Sequence, residues 1–322
     1  METLLTFDDV LIKPQFSYIK SRAEVNTDNL IISANMASIT GIDMCREMAK
    51  FNQIGCLHRF MPVEENASMF STLLNEGIEP WVSVGFEADR LEALAKVKDD
   101  AIVVIDVAHG YSRKMSDFIE FAQAKFPNLR LVAGNFIEWP MRLLFHKYRP
   151  LYGIKIGIGP GSVCTTRLVT GHGYPQLQAI LDTVKDKVFW ADHSETKIIA
   201  DGGMESSGDI AKALAAGADM VMTGKLLAYT DKCVTPMSYA GSASQESYSS
   251  NGKESSHRAP EGISKTIRYN HPVKRTSQTL EVLLAGLKSA FSYSGAYTAE
   301  QFKKSAKLVR ISSSTIKENG TR

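Results

Sequence analysis

Residues 157 to 167 read GIGPGSVCTTR, which places one thiol inside a glycine-rich turn directly after an apolar run. Gly157, Gly159 and Gly161 admit backbone conformations that side chains forbid, so the loop can draw carbonyls and amides together around an ion or ligand. Cys164 held in such a loop is a candidate nucleophile. The hydroxyls of Thr165 and Thr166 and the cation of Arg167 follow it, and such neighbours favour thiolate over thiol. The competing reading is a phosphate-binding loop in which the cysteine is incidental. The spacing is G-x-G-x-G rather than G-x-G-x-x-G, so this is not the dinucleotide fingerprint.

A second set of residues converges only if the chain folds in a particular way. Short apolar or β-branched runs recur at NLIIS, IGCLH, WVSVG, IVVIDV, RLVAG, IKIGI, KIIAD and DMVMTG. Between most of them lie segments with helical apolar spacing, among them DMCREMAKF, ADRLEALAKV, SDFIEFAQAKF and SGDIAKALAAGA. This alternation implies parallel strands with crossover helices, and eight such units predict an α/β fold, a (β/α)8 TIM barrel. A doubly wound open sheet is the competing architecture, because counting alone does not prove closure. About forty residues separate the sixth and seventh runs, and about fifty separate the eighth from TSQTLEVLLAGLKSAF. The first excursion holds Cys164; the second, about 229–275, is rich in Ser, Gly and Lys and reads as a mobile flap or a surface insertion.

In a barrel the working residues stand where strands end. The endings offer Asn35 and Met36, His58 and Arg59, Asp106, Asn135, the cysteine loop, Asp201 with Gly202 and Gly203, and Gly224 with Lys225. His58 is equally a satisfied core histidine, and Asp106 a capping residue. Glycines after the last two strands form the usual phosphate cradle of such barrels, Lys225 adds a point charge beside it, and Asp201 can accept bonds from ribose hydroxyls. The bland reading of Asp201-Gly202-Gly203 is a strand-ending turn.

Composition bounds the rest. The chain has 322 residues, 44% hydrophobic and 22% charged, enough for one large barrel domain over 1–322. Its 37 Lys plus Arg against 35 Asp plus Glu leave a formal charge of +2 with no basic arm, which disfavours nucleic acid. Cys45, Cys56, Cys164 and Cys233 form no CxxC pair and no leader is evident, so a cytoplasmic protein with no membrane span is expected.

Taken together, FDDVLIKPQ, KSRAEV, SANM, LHRF, IDVAHGYS, VAGN, GIGPGSVCTTR with GHGYPQL, ADGGMESSGDIAKALAAGADMVMTG, GSAS and RAPEG resemble the family of inosine-5'-monophosphate dehydrogenases and guanosine-5'-monophosphate reductases, over nearly the whole chain. The reductase branch is the closer likeness. WVSVG follows LHRF without the regulatory CBS pair that dehydrogenases carry, no Arg-Tyr dipeptide occurs in 229–275, and KSRAEV, IDVAHGYS and GSAS are reductase-like; APEGI is dehydrogenase-like. The resemblance implies NADPH-dependent reductive deamination of GMP to IMP and ammonia, the alternative being oxidation of IMP with NAD. It implies Cys164 as nucleophile with Thr166 and Glu261 relaying a proton. Nucleotide contacts fall on Met36, Ser162, Asp201, Gly202, Gly203, Gly224, Lys225, Gly241, Ser242, Arg258 and Gly262. Cofactor contacts fall on Ser21, Arg22, Arg59, Asp106, Val107, Ala108, Ile158 and Gly159, with Ser294 and Gly295 acting across a subunit interface of a homotetramer. Potassium (K+) is implied at Gly159, Gly161, Cys164 and Arg167. The chain departs from relatives in EWPMRLLFHKYRPLYG, where they carry a fifth helix ending in a Gly-Ala-Asp turn, at Lys225, where a small residue is common, and at Tyr229, where glycine is common.

Overall fold

A computed structural model describes residues 3–140, 149–187, 195–241, 244, 261–266, 273–312 and 314–315. Twelve strands are present among them: β1 (Val10–Lys13), β2 (Ile31–Ser33), β3 (Ile54–Leu57), β4 (Trp81–Val84), β5 (Ile102–Asp106), β6 (Arg130–Phe136), β7 (Gly153–Ile156), β8 (Lys197–Asp201), β9 (Met220–Thr223), β10 (Ser238–Ala240), β11 (Ser264–Thr266) and β12 (Lys307–Arg310). The eight apolar runs of the sequence are β2 to β9. They pair in parallel, and β2 closes on β9 through Ile31, Ile32 and Ser33 against Val221, Met222 and Thr223. Closure excludes the open doubly wound sheet.

Burial on both faces explains why these strands read as continuous apolar runs. Side chains alternate along each strand. Leu57, Val82, Val103, Ile105, Leu131, Ala133, Ile154, Ile156 and Ile198 pack in one cluster with the inner faces of the surrounding helices. Residues of the opposite parity, including Cys56, Val104, Val132 and Ile199, belong to the other cluster. The helices carry their own start signals: the side chains of Ser112 and Ser206 accept from the amides of Met115 and Asp209. The crossover from β3 to β4 is the single helix Val63–Asn75. Among the described residues no helix is long and apolar enough to cross a membrane.

Two small antiparallel sheets stand outside the barrel. β1 pairs with β12, and β10 pairs with β11 within the excursion 229–275. Its base is tied where Lys274 N donates to the Tyr229 carbonyl and Asp231 N to the Lys274 carbonyl. Within the flap, 242–243, 245–260 and 267–272 lie outside the described residues, as do 141–148 of the segment EWPMRLLFHKYRPLYG.

Tyr229 adopts φ 61°, whereas the other non-glycine residues in that region among the described residues are Asn29 and Asn52, which tolerate it. Its ring meets Tyr239 edge-on at 6.2 Å, and its hydroxyl donates to the Lys265 carbonyl at 3.3 Å. These contacts hold a left-handed backbone that costs a residue with a Cβ roughly 1 kcal/mol. Tyr229→Ala keeps that cost and loses the ring; Tyr229→Gly loses both. Urea unfolding is expected to find the Gly variant more stable than the Ala variant by about 1 kcal/mol, and equal stabilities would show that the backbone is unstrained.

Candidate active site

β7 delivers the chain into the cysteine loop through Gly157, whose φ is 145°. A Cβ there would stand 2.2 Å from the Asp201 carbonyl at the end of β8, so glycine alone lets the two strand ends touch. The loop then returns over the barrel mouth and packs on the turn after β8, with Gly202 beside Gly161 and Gly203 beside Pro160. The thiol therefore lies next to the glycine pair expected to cradle phosphate.

The flap closes the other side of the loop by backbone pairing. Thr165 N donates to the Glu261 carbonyl at 2.8 Å, Ile263 N to the Val163 carbonyl at 2.9 Å, and Gly241 N to the Ile263 carbonyl at 3.1 Å. Cys164 thereby faces Gly262 across an antiparallel bridge. This pairing sets a chain of side chains: Cys164 Sγ lies 3.2 Å from Thr166 Oγ1, and the Thr166 hydroxyl donates to Glu261 Oε2 at 2.8 Å. Cys164 is partly exposed, whereas Thr166 is buried. Such an arrangement presents a nucleophile with a proton path to a carboxylate. Lys265 Nζ also donates to the Ser162 carbonyl at 3.0 Å. Tyr239, which bonds the Ser162 side chain, has its phenol pushed up to about 12 chiefly by burial and is therefore a donor at neutral pH. Gly224 is pressed between Met36 Sδ and the Tyr239 hydroxyl.

The largest polar feature of the site is one that reading strand ends passed over. Lys155, in the middle of β7, has a side chain only 2% exposed, and its ammonium meets Asp106 Oδ1 at 2.9 Å, Asp201 Oδ2 and Asn135 Oδ1. Asn135 Nδ2 donates to the Gly157 carbonyl at 2.7 Å and to Asp201 Oδ2 at 3.1 Å. Burial alone would push the ammonium of Lys155 down; Asp106 and Asp201 outweigh it and hold the group above the usual lysine range. Burial likewise pushes the Asp106 carboxyl up, but Lys155 and Arg59 prevail and keep it below the usual range. The sequence signal was a charged residue interrupting the apolar run IKIGI.

The structure gives several of the expected residues neighbours that the sequence did not show. The Lys225 ammonium is paired with Glu205, between the turns after β8 and β9. A guanidinium has no acceptor atom, so only the carbonyl of Arg167 could serve potassium; its side chain lies against Gly159 and Gly173 and donates to the Tyr174 carbonyl at 2.7 Å. Ser294 is buried with an unpartnered Oγ, and Gly295 is wedged against the Phe16 carbonyl; Tyr293 beside them is exposed. Ser21, which caps the turn Arg22–Glu24, and Arg22, which lies 5.9 Å from the Tyr293 ring, gather at this same corner. At the mouth itself, Val107 and Gly134 are joined by backbone bonding, Ala108 is exposed, and Ile158 accepts from Tyr174 N. Ser242 and Arg258 lie outside the described residues.

The domain model described as IMP dehydrogenase / GMP reductase matches residues 4–322. A GMP reductase of Phytophthora infestans is 33% identical over 346 residues, covering 97% of this chain and 91% of that protein. An inosine-5'-monophosphate dehydrogenase of Chlorobaculum parvum is 37% identical over 250 residues, 71% of this chain and 49% of that one. The crystal structure of a Trypanosoma brucei GMP reductase, a cysteine-to-alanine variant in complex with guanosine 5'-monophosphate, superposes with a TM-score of 0.87 over 100% of this chain and 98% of that one at 24% identity, which shows a shared fold.

His58 ends β3 but takes the structural role. Its Nδ1 accepts from Phe60 N at 3.1 Å, and burial, with Arg90 nearby, pushes its pKa down to about 4 from 6.5. A histidine that is neutral when folded stabilises fully above pH 6.5 and loses that contribution as pH falls through 4, because the unfolded state then binds the extra proton. Between pH 7 and pH 5 the cost is about 2 kcal/mol. His58→Asn, which retains an acceptor for Phe60 N, should lose about 2 kcal/mol less than the parent over that interval in denaturant titrations; parallel curves would place the imidazole in contact with water.

Proposed function

We propose, because this chain belongs to the IMP dehydrogenase / GMP reductase family, that it is a GMP reductase, converting GMP to IMP and ammonia at the expense of NADPH. The observation that carries the reading is the contact chain from Cys164 through Thr166 to Glu261 at the mouth of a closed barrel. The Cys164 thiol passes its proton through the Thr166 hydroxyl to the Glu261 carboxylate, and its sulfur adds to purine C2 to form a carbon–sulfur bond. The 2-amino group leaves as ammonia, its proton arriving through the Thr166 hydroxyl from Glu261, since an amine departs poorly unless protonated. A thioimidate remains on Cys164. A reduced nicotinamide, when bound, supplies a hydride to C2, which releases IMP and returns the sulfur.

The residues fit their ligands by chemistry. Asp201 offers carboxylate oxygen to ribose hydroxyls, and Tyr239 with the turns at Gly202, Gly203 and Gly224 offers donors to phosphate. Arg59, paired through Nη1 with Glu87 at 3.4 Å and close enough to depress Asp106, supplies the cation at the end expected to meet a dinucleotide. Potassium would rest on the carbonyls of Gly159, Gly161 and Cys164, of which that of Gly161 already accepts from Cys164 N at 3.0 Å. The enzyme would work in the cytoplasm as a homotetramer.

A second reading, a dehydrogenase that oxidises IMP and hydrolyses the same intermediate, is favoured by the identity with the Chlorobaculum parvum protein. Purified protein given GMP with NADPH should release ammonia, and given IMP with NAD should yield no xanthosine monophosphate. The reverse pattern selects the dehydrogenase. Cys164→Ala should abolish turnover while calorimetry finds GMP affinity within about threefold, an energy difference well below a lost charged hydrogen bond. Glu261→Gln should slow deamination on the order of 100-fold and hydride exchange between IMP and oxidised cofactor far less; equal losses would remove the amine-specific proton relay.

A further inference from the structure

The barrel register places three residues on one level: Asp106 of β5 pairs with Gly134 of β6, and Gly134 pairs with Lys155 of β7. On the far side Lys155 pairs with Ile199 of β8, two residues before Asp201. Alternation along each strand therefore turns Asp106, Lys155 and Asp201 toward the barrel interior together. Two strand spacings, about 9.6 Å, separate the backbones of β5 and β7, and a lysine can span this only if nothing projects from the strand between. Position 134 meets that condition, since a Cβ there would lie 2.6 Å from Lys155 Cβ.

An ammonium removed from water is costly unless every proton finds an acceptor. Lys155 has three protons and three acceptors, Asp106, Asp201 and Asn135. The two carboxylates belong to different halves of the site. Asp201 stands by the nucleotide turns; Asp106 stands by Arg59, Asn35 and the cofactor side. Their side chains are 12% and 20% exposed, for Asp106 and Asp201, so ligands can reach them while the lysine stays covered.

We infer that Lys155 is a positioning residue shared by both halves of the site, its single ammonium fixing Asp106 and Asp201 relative to each other so that loss of this one group weakens the binding of nucleotide and dinucleotide alike. The inference rests on the GMP reductase reading, and it predicts a pattern of effects that a merely structural lysine would not produce. Removing a buried charge-assisted bond is worth one to two decades in affinity. Lys155→Ala should therefore raise KM for GMP and for NADPH about tenfold each. The variant lacks the three methylenes and amine of n-propylammonium, so added n-propylammonium should restore part of kcat/KM in a saturable manner, and 1-propanol, which is similar in size and uncharged, should not.

Calorimetric titration with GMP and separately with NADP+ reads both affinities without turnover. Absence of wild-type turnover with GMP and NADPH would fail the functional reading alone, and the two affinities would still test Lys155. A change in only one of them, or equal rescue by 1-propanol, overturns the inference. Should Lys155→Ala not fold, Asp106→Asn gives a second test, because it frees the lysine on the cofactor side only. GMP affinity should then fall about threefold, less than a whole charged bond, although position 106 belongs to the other half. An unchanged GMP affinity overturns the shared role.

Discussion

A buried ammonium has to be answered by acceptors that cannot move away, and in this barrel that requirement joins four adjacent strands. Lys155 on β7 draws Asp106 from β5, Asn135 from the end of β6 and Asp201 from β8 to one point. With both carboxylates ionised the group carries a net charge of −1, counting two acids against one base. Excess negative charge of this kind is tolerable only near a mouth where water, Arg59 or a cationic ligand can approach. The constraint also explains residues with no chemistry of their own. Gly134 is bare so that the lysine can pass, and Asn135 is an amide because the place needs an acceptor for Lys155 and donors for Gly157 and Asp201 at once.

From that fixed point the cysteine loop follows. Asn135 and Gln176 bond the backbone at Ile156, Gly157 and Asp201, so the first residues of the loop are held to the same strand ends that carry the charges. Beyond Gly161 the loop is held differently, by strand-like pairing with Glu261 and Ile263. The thiol is thus positioned between a rigid barrel rim and a segment supplied about a hundred residues later. Neither alone completes the set Cys164, Thr166 and Glu261.

Much of this was legible in the sequence, for physical reasons that differ by residue. The eight strands announced themselves because parallel strands buried on both faces are apolar throughout, and the glycines around Cys164 because only glycine lets Gly157 approach the Asp201 carbonyl. Motif likeness across the chain pointed to Cys164, Thr166 and Glu261, which the structure brings into contact. Lys155 is not legible from strand endings because it lies one step inside its strand. The partners of Lys225 and Arg167 were unreadable for another reason: a long cation chooses among neighbours that only tertiary packing supplies. Glu205 is such a neighbour for Lys225, and the Tyr174 carbonyl for Arg167. The inward turn of the Ser294 hydroxyl at the end of the helix Thr276–Tyr293 is likewise set by packing that the sequence does not display.

The way Glu261 is attached bears on the order of chemical events. Cys164 belongs to the barrel rim, and among the described residues Glu261 is joined to its loop by backbone pairing and the Thr166 hydroxyl, with Lys265 reaching the Ser162 carbonyl nearby. In the proposed reaction an acid is needed while the amine departs from the purine, and hydride delivery to C2 asks nothing of it. The groups that fix the loop's origin, Asn135, Gln176 and the charges around Lys155, all belong to the barrel, so the thiol and the carboxylate are held by different parts of the fold and meet only where the segment around Glu261 pairs with the loop.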